Sequence, residues 1–181
     1  ASILVLGPLL ARFGRASVSL PGGCAIGARP VNLHLQALER MGAQIAITGG
    51  YVEALVPGGR LKGMDHTFDK VSVGATENIL TAAVLAQGTT VLRNCALEPE
   101  VTDLARLLVK MGAQIEGIGT PVLTIHGVDR LGGCTHATIP DRIEAGTHIC
   151  AVVAAGGDVV LEAVEPEDLR SLTDLLERCG A

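Results

Sequence analysis

The residues best suited to chemistry lie in one glycine- and proline-rich stretch, residues 20–33, which reads LPGGCAIGARPVNL. Its single thiol, Cys24, is followed closely by Arg29. A nearby guanidinium lowers the pKa of a thiol and offers a forked donor for phosphate or carboxylate. Glycine and proline let the backbone bend sharply and approach a ligand. Cys24 and Arg29 therefore form a candidate reactive pair, and the alternative is that Cys24 is a small buried hydrophobe.

The chain that must position this stretch repeats itself. Residues 41–45 read MGAQI and recur word for word at residues 111–115, and residues 179–181 repeat the start of that motif as Cys-Gly-Ala. Each copy closes a helix with a charged residue and a glycine stop, which suits a helix C-terminus. The repetition predicts one structural unit written nearly three times.

Each unit is predicted to run helix, strand, helix, strand, strand, with a short strand leading into the next unit. The second helices begin near Pro30, Pro99 and Pro166, where proline suits the first turn. The other predicted elements are apolar helices 2–13, 76–87 and 144–155, strands 16–20, 89–92 and 158–161, hairpins 43–47 with 51–56 and 113–118 with 122–126, and short strands 67–71 and 136–139.

The two kinds of element differ in polarity. Residues 79–85 and 149–155 are apolar on nearly every face, which is typical of a helix buried all round. The hairpin strands alternate partly between apolar and polar residues, as half-exposed strands do. We therefore expect an α/β fold with helices inside and sheets outside, and three copies suggest pseudo-threefold packing. Relative to its two sibling copies, the Cys24 loop is an insertion, which favours a functional role.

Composition excludes some function classes. The net charge of −5 and pI near 5.5 argue against general nucleic-acid binding. The five cysteines are odd in number and form no Cys-x-x-Cys pair, which indicates a reducing compartment and no zinc site. Cys134 and His136 lie close in sequence but make a poor metal site, and Cys95 and Cys150 are expected to be buried packing residues. The first ten residues resemble neither a signal peptide nor a membrane span.

Three motifs together carry a resemblance to a known family: residues 21–30 (PGGCAIGARP), 69–76 (DKVSVGAT) and 140–144 (PDRIE). With these the chain closely resembles, over essentially its whole length, the UDP-N-acetylglucosamine enolpyruvyl transferases of bacterial peptidoglycan synthesis. The related shikimate-directed enolpyruvyl transferases share the fold but lack this Cys loop. The resemblance implies an inside-out α/β barrel, in agreement with the helix-in, sheet-out expectation.

The resemblance also implies a reaction, the first committed step of peptidoglycan synthesis. The enolpyruvyl group of phosphoenolpyruvate passes to the 3-hydroxyl of UDP-N-acetylglucosamine with loss of phosphate, without a cofactor or metal. Cys24 would act as the acid toward the methylene carbon and can hold a covalent adduct, and Arg29 would bind phosphate. The segment that lies along the uridine and diphosphate would comprise Arg29, Pro30, Val31, Asn32, Leu33 and His34. Asn32 stands where the family often has Asp.

Two further segments take roles from the resemblance. Lys70, Ser72, Val73 and Gly74 match a second nucleotide-side segment, and the alternative is an ordinary helix start. Asp141, Arg142 and Glu144 match the hinge between two domains, with a helix N-terminus as the alternative. His34, on an amphipathic helix, is either a proton relay or a surface or nucleotide-packing residue.

These inferences predict a catalytic-loop domain over residues 1–139 and, over 140–181, a hinge with the beginning of a second domain. Because both ends interrupt a repeat unit, we expect an internal fragment of a longer cytoplasmic enzyme acting in cell-wall biogenesis, cell shape and cell division. The rest of the enzyme would complete the site, and no nucleic-acid or membrane partner is expected. The alternatives are a non-catalytic nucleotide-sugar-binding domain and a redox-sensing thiol protein.

Overall fold

The structure is a computed structural model that describes residues 2–22 and 31–181. The predicted site residues Cys24, Arg29 and Pro30 lie outside the described residues. The chain forms two compact units, Ala1–His136 and Ala137–Ala181. Within the described ranges, no helix has the length and apolar character needed to cross a membrane.

The first unit holds four α-helices and seven strands among its described residues. After a short 3-10 helix, Ser2–Val5, the elements in chain order are α1 (Leu6–Phe13), β1 (Arg15–Ser19), α2 (Asn32–Arg40), β2 (Gln44–Thr48), β3 (Tyr51–Leu55), β4 (Asp65–Thr67), α3 (Val73–Ala83), β5 (Thr89–Arg93), α4 (Pro99–Lys110), β6 (Gln114–Glu116) and β7 (Val122–His126). The predicted first helix therefore opens as a 3-10 turn, and the strand predicted at 67–71 lies a few residues earlier.

The strands form two sheets. One has the order β1-β3-β2 and is antiparallel throughout. The other has the order β4-β5-β7-β6, in which only the β4–β5 pair is parallel. Both predicted hairpins are confirmed. In the β2–β3 hairpin Thr48 faces Tyr51 across Gly49 and Gly50, whose φ angles of 57° and 83° are those that a tight hairpin turn requires.

Helix α3 forms the centre of the first unit. Of its eleven residues, seven are buried, including Ile79 and Leu80, so it has no solvent face of the usual width. Helices α1, α2 and α4 pack against it. In β3, Val52 and Ala54 are buried while Tyr51 and Leu55 are about half exposed, so the sheet turns one side to the core and one to solvent. The prediction of helices inside and sheets outside is confirmed for this unit.

The repeat is also visible in a side-chain contact that no motif suggested. Arg40 Nη1 lies 2.9 Å from His66 Nδ1, and Lys110 Nζ lies 3.1 Å from His136 Nδ1. Both partners are displaced by the same 70 residues as the MGAQI motif. His136 Nε2 also bonds Asp103 Oδ1 at 2.9 Å. In these two copies, a cation in the last turn of a helix thus contacts a histidine in the segment that leads into the next unit.

The second unit contains two helices, α5 (Arg142–Ala155) and α6 (Pro166–Arg178), and no strand among its described residues. The strands predicted at 136–139 and 158–161 are wrong. At the repeat offset they correspond to β4 and β5, which pair with each other in the first unit. A strand needs a hydrogen-bonded neighbour, and neither of these two segments takes part in a β-ladder.

The burial predicted for residues 149–155 is also wrong. Only Ala145 and Gly146 of α5 are buried, and Cys150, expected in the core, is exposed. Gly146 faces Leu172 of α6, where a Cβ would lie 3.0 Å from Leu172 Cδ2. An apolar sequence can be buried only where other elements cover it, and within this unit α6 covers a single side of α5.

Candidate functional site

Two of the predicted substrate segments converge in the structure. Val31 and His34 belong to the start of α2, and Ser72 and Gly74 to the start of α3. An ideal Cβ on Gly74 would lie 3.4 Å from His34 Cε1 and 3.8 Å from His34 Nε2. The imidazole of one segment therefore packs directly on the backbone of the other, although the two are about 40 residues apart in sequence.

The start of α3 is well ordered by its own side chains. Ser72 is the N-cap, and its Oγ accepts a hydrogen bond from Ala75 N at 3.2 Å. Buried Thr76 donates to Ser72 O at 2.8 Å and accepts from Ala96 N at 3.1 Å, which ties this turn to the segment before α4. The alternative prediction of a capped helix start is therefore correct for Ser72. It does not exclude binding, because Val73 and Gly74 still present first-turn N–H groups.

The start of α2 lacks a side-chain cap. Val31 occupies the N-cap position without a side-chain hydrogen bond, and its carbonyl accepts from His34 N and Leu35 N. Asn32, the first helical residue, is exposed, whereas Leu33 is half-buried. Two helix N-termini with positive dipole ends thus lie side by side, which is an arrangement suited to an anionic ligand. Lys70, also exposed, adds a cation two residues before Ser72.

His34 is buried, so the surface alternative predicted for it is wrong, while the nucleotide-packing alternative stays a prediction. Its side chain is held by Asn78 of α3, whose Nδ2 lies 2.9 Å from His34 Nδ1. The same amide accepts from Gly7 N at 2.7 Å through Oδ1 and donates to Ile3 O at 3.0 Å. Burial lowers the pKa of His34. A proton relay at neutral pH is therefore not favoured, since the ring resists taking up a second proton.

A cavity of about 350 Å³ beside Lys70 is not a phosphate site. Its lining includes Glu39 and Asp69, and its one arginine, Arg40, already contacts His66. Burial, followed by the charge of Arg40, lowers the pKa of His66, against an opposing effect of Asp69. This cavity therefore lies at the Arg40–His66 contact, which the repeat forms a second time as Lys110–His136.

The predicted hinge residues start α5 in the second unit. Asp141 Oδ1 accepts hydrogen bonds from Ile143 N at 2.8 Å and Glu144 N at 3.1 Å, so Asp141 caps the helix. Glu144 lies in the first turn of the helix, where its charge favours the helix dipole. The helix-start interpretation is confirmed for these residues, and their role as a hinge stays a prediction.

The structure describes four cysteines, of which Cys95 is buried and Cys134, Cys150 and Cys179 are exposed. Cys95 is buried, and burial raises its pKa to about 11 against the weaker effect of a backbone hydrogen bond from Leu123. The packing role predicted for Cys95 is confirmed. Cys134 is exposed, and no group of three or more metal-ligating side chains occurs within residues 2–22 and 31–181. The hypothesis of a reactive Cys24–Arg29 pair stays a prediction, because both residues lie outside the described residues.

Asn78 is the residue of this region that the sequence reasoning missed. The available signal was a lone amide next to the apolar stretch 79–85 of a helix predicted to be buried. A buried amide is costly unless its hydrogen bonds are satisfied, so its presence in such a helix indicates dedicated partners. Those partners come from Gly7, Ile3 and His34, and sequence spacing cannot reveal them.

The first unit has buried helices, outer sheets and a repeated motif, and two of its helix starts together suit an anionic ligand. Comparison with known proteins identifies the family that has this fold. The chain matches the family of EPSP synthase (3-phosphoshikimate 1-carboxyvinyltransferase) over residues 1–181, and it belongs to that family. It is 60% identical over 180 residues to UDP-N-acetylglucosamine 1-carboxyvinyltransferase of Novosphingobium aromaticivorans, and 58% identical over 182 residues to that of a Psychrobacter species. The chain spans 42% of the length of each of these relatives.

Solved structures agree with this assignment of the fold. The enolpyruvyl transferase NikO from Streptomyces tendae matches 98% of the chain with a TM-score of 0.75 and 30% identity, and the chain covers 43% of that protein. An EPSP synthase from Acinetobacter baumannii matches 90% of the chain with a TM-score of 0.61 and 29% identity, and the chain covers 37% of it. The predicted inside-out α/β fold of the enolpyruvyl transferases is confirmed.

Proposed function

We propose that this chain is part of an enzyme that transfers the enolpyruvyl group of phosphoenolpyruvate to the 3-hydroxyl of UDP-N-acetylglucosamine and releases phosphate. The observation that carries the proposal is the contact of His34 with Gly74, which brings together the two segments that the family resemblance assigns to the nucleotide-sugar site. The names of the two relatives at 60% and 58% identity support the same substrate. The first-turn N–H groups of α2 and α3, with Lys70, suit the diphosphate.

The proposed reaction proceeds by addition and elimination. The Cys24 thiol delivers a proton to the methylene carbon of phosphoenolpyruvate and becomes a thiolate, while the sugar oxygen bonds to the adjacent carbon and gives its own proton to a base that the rest of the enzyme supplies. In the elimination the Cys24 thiolate takes a proton back from the new methyl group, the carbon–carbon double bond forms again, and the carbon–oxygen bond to phosphate breaks so that inorganic phosphate leaves with the electron pair. Arg29 compensates the charge of the phosphate group throughout. A thiol serves as an acid near neutral pH when its pKa is not far from that value.

The remaining assignments complete the proposal. Pro30, Val31, Asn32, Leu33 and His34 form one side of the nucleotide-sugar site. Lys70, Ser72, Val73 and Gly74 form the other side. Asp141, Arg142 and Glu144 act at a hinge between a catalytic-loop domain, residues 1–139, and a second domain that begins at residue 140. That second domain supplies charged groups which complete the site, and the enzyme works in the cytoplasm in cell-wall biogenesis, and thereby in cell shape and division.

Phosphate release with both substrates, coupled with calorimetric titration of UDP-N-acetylglucosamine, tests this function. We expect binding of the nucleotide sugar to the 181-residue chain, weakened by Lys70→Ala but not by the matched exposed-lysine variant Lys62→Ala. Any phosphate release should disappear in Cys24→Ala and persist in Cys134→Ala. Binding without release would favour a nucleotide-sugar-binding domain that needs further chain for turnover. Absence of both binding and release would overturn the proposal.

A further inference from the structure

The side-chain amide of Asn78 can point in only one direction. Gly7 N is a backbone donor, so the atom 2.7 Å from it must be the amide oxygen, Oδ1. Ile3 O is a backbone acceptor, so the atom 3.0 Å from it must be the amide nitrogen, Nδ2. Neither backbone group can exchange its role. The amide is therefore fixed from both sides by the segment that contains the 3-10 helix and α1.

This orientation determines where His34 carries its proton. Asn78 Nδ2 is a donor and lies 2.9 Å from His34 Nδ1, so Nδ1 must accept and cannot itself carry a hydrogen. A neutral imidazole with a bare Nδ1 has its hydrogen on Nε2. Burial opposes the doubly protonated ring as well. The ring is thereby held as a neutral donor through Nε2.

The Nε2 atom faces the start of α3. It lies 3.8 Å from the position of an ideal Cβ on Gly74, and within the described ranges it has no hydrogen-bond acceptor. Charged groups do not compete for the ring. Among the elements around the ring, the 3-10 helix and β2 have no titratable side chain, α3 has Glu77, and α2 has Glu39 and Arg40. None of these charges contributes to the lowered pKa of His34, because burial is its only cause.

We propose that Asn78 is a positioning residue that holds His34 as the neutral Nε2–H tautomer, so that Nε2–H and the first-turn N–H groups of α3 together form a donor set for an oxygen of the nucleotide sugar. The choice of ligand atom rests on the proposed function, whereas the tautomer rests on the hydrogen bonds alone. A set made only of donors accepts phosphate or carbonyl oxygen and rejects a donor group, because two facing donors would leave both unsatisfied.

The direct test is ¹⁵N NMR of the histidine-labelled 181-residue chain, read through long-range couplings to the ring hydrogens. We expect His34 Nδ1 to be unprotonated and Nε2 to be protonated from pH 6 to 8. Addition of UDP-N-acetylglucosamine should shift Nε2 and leave the tautomer unchanged. A protonated Nδ1 in the unaltered chain, or exchange between the two tautomers, would overturn the inference without any variant.

Variants test the role of Asn78 itself. In Asn78→Asp, the carboxylate keeps the acceptor for Gly7 N but has no donor, so His34 should acquire a hydrogen on Nδ1 and titrate at a higher pH. Where the ring is neutral, Nε2 then lacks its hydrogen, so the affinity for the nucleotide sugar should fall about tenfold, which corresponds to about 1.4 kcal/mol. The affinity should recover as the pH falls and the ring takes up a second proton, which restores Nε2–H. Thr81→Ala is the matched control, because Thr81 Oγ1 bonds only to carbonyls of its own helix.

The outcomes separate this inference from the proposed function. If other resonances shift with the nucleotide sugar and Nε2 does not, the assignment of Nε2–H as a ligand donor is wrong while nucleotide-sugar binding stands. If no resonance shifts, both fail. If Asn78→Asp leaves the tautomer of His34 and the pH profile of binding as they are in the unaltered chain, Asn78 does not position the ring. Equal changes in Thr81→Ala would show that the helix, rather than the amide, is responsible.

Discussion

At Gly7 helix α1 packs closely on α3, and adding a side chain there tests the packing around the candidate site. A Cβ at this position would lie well inside van der Waals contact with Asn78 O and Asn78 Oδ1, and 3.2 Å from Ala82 Cβ. The carbonyl oxygen is backbone and cannot rotate away, so Gly7→Ala must separate α1 from α3. Overpacking of a tight core costs about 1–3 kcal/mol, and loss of the bond from Gly7 N to Asn78 would add about 1 kcal/mol.

We therefore expect Gly7→Ala to lower the free energy of unfolding by about 3 kcal/mol, measured by urea denaturation followed by circular dichroism. Gly132→Ala is the matched control, because the nearest atom to its added Cβ is 3.7 Å away, in ordinary contact. It should change stability by less than about 0.5 kcal/mol. Equal stability of the two variants would refute the close packing of α1 on α3 on which the inside-out interpretation depends.

Three more outcomes follow from individual contacts. Arg60 donates to Leu85 O, Ala86 O and Val128 O, so Arg60→Met should cost about 2 kcal/mol in chemical denaturation, and Arg60→Lys should cost less. Because the pKa of His66 is lowered in the folded chain, the unfolded chain protonates this ring at a higher pH, near 6.5, than the folded chain does. The urea concentration at the midpoint of unfolding should therefore drop between pH 7 and 5, and it should drop by less in His66→Gln. Because burial raises the pKa of Cys95 to about 11, the unfolded chain loses the thiol proton at a lower pH than the folded chain, and the free energy of unfolding should fall as the pH rises from about 9 toward 11. A thiol reagent at pH 8 should modify Cys95 only after unfolding.

Much of the fold follows from the sequence because the repeat and the helix signals are local. The prolines at the start of α4 and α6, the glycine turn between β2 and β3, and the buried character of α3 are all properties of short windows. The errors lie in the second unit. A strand at 136–139 or 158–161 needs a hydrogen-bonded neighbour, and burial of α5 needs covering elements, and neither can be read from the local sequence. In this chain these two segments form no β-ladder, whereas the corresponding β4 and β5 pair with each other.

The candidate site was predictable to a different degree. Ser72 and Gly74 were named as site residues through the family resemblance, whereas the residue types alone predicted only a helix start, which the structure shows. The contact of Gly74 with His34 is tertiary, and it was not predicted, because the family resemblance assigned each residue to a nucleotide-side segment without saying that the two touch. Burial of His34 and the role of Asn78 were missed, since a buried hydrogen-bond network links residues more than 40 positions apart and leaves no periodic signal.

The measurement that tests the central claim most directly is mass spectrometry of cysteine labelling by an epoxide analogue of phosphoenolpyruvate, with and without UDP-N-acetylglucosamine. If Cys24 meets phosphoenolpyruvate beside the nucleotide sugar, the adduct should form on Cys24 and form faster when the nucleotide sugar is present. The exposed thiols of Cys134, Cys150 and Cys179 should stay largely unlabelled. Labelling that is spread evenly over these cysteines, or a rate at Cys24 that the nucleotide sugar does not change, would contradict the account.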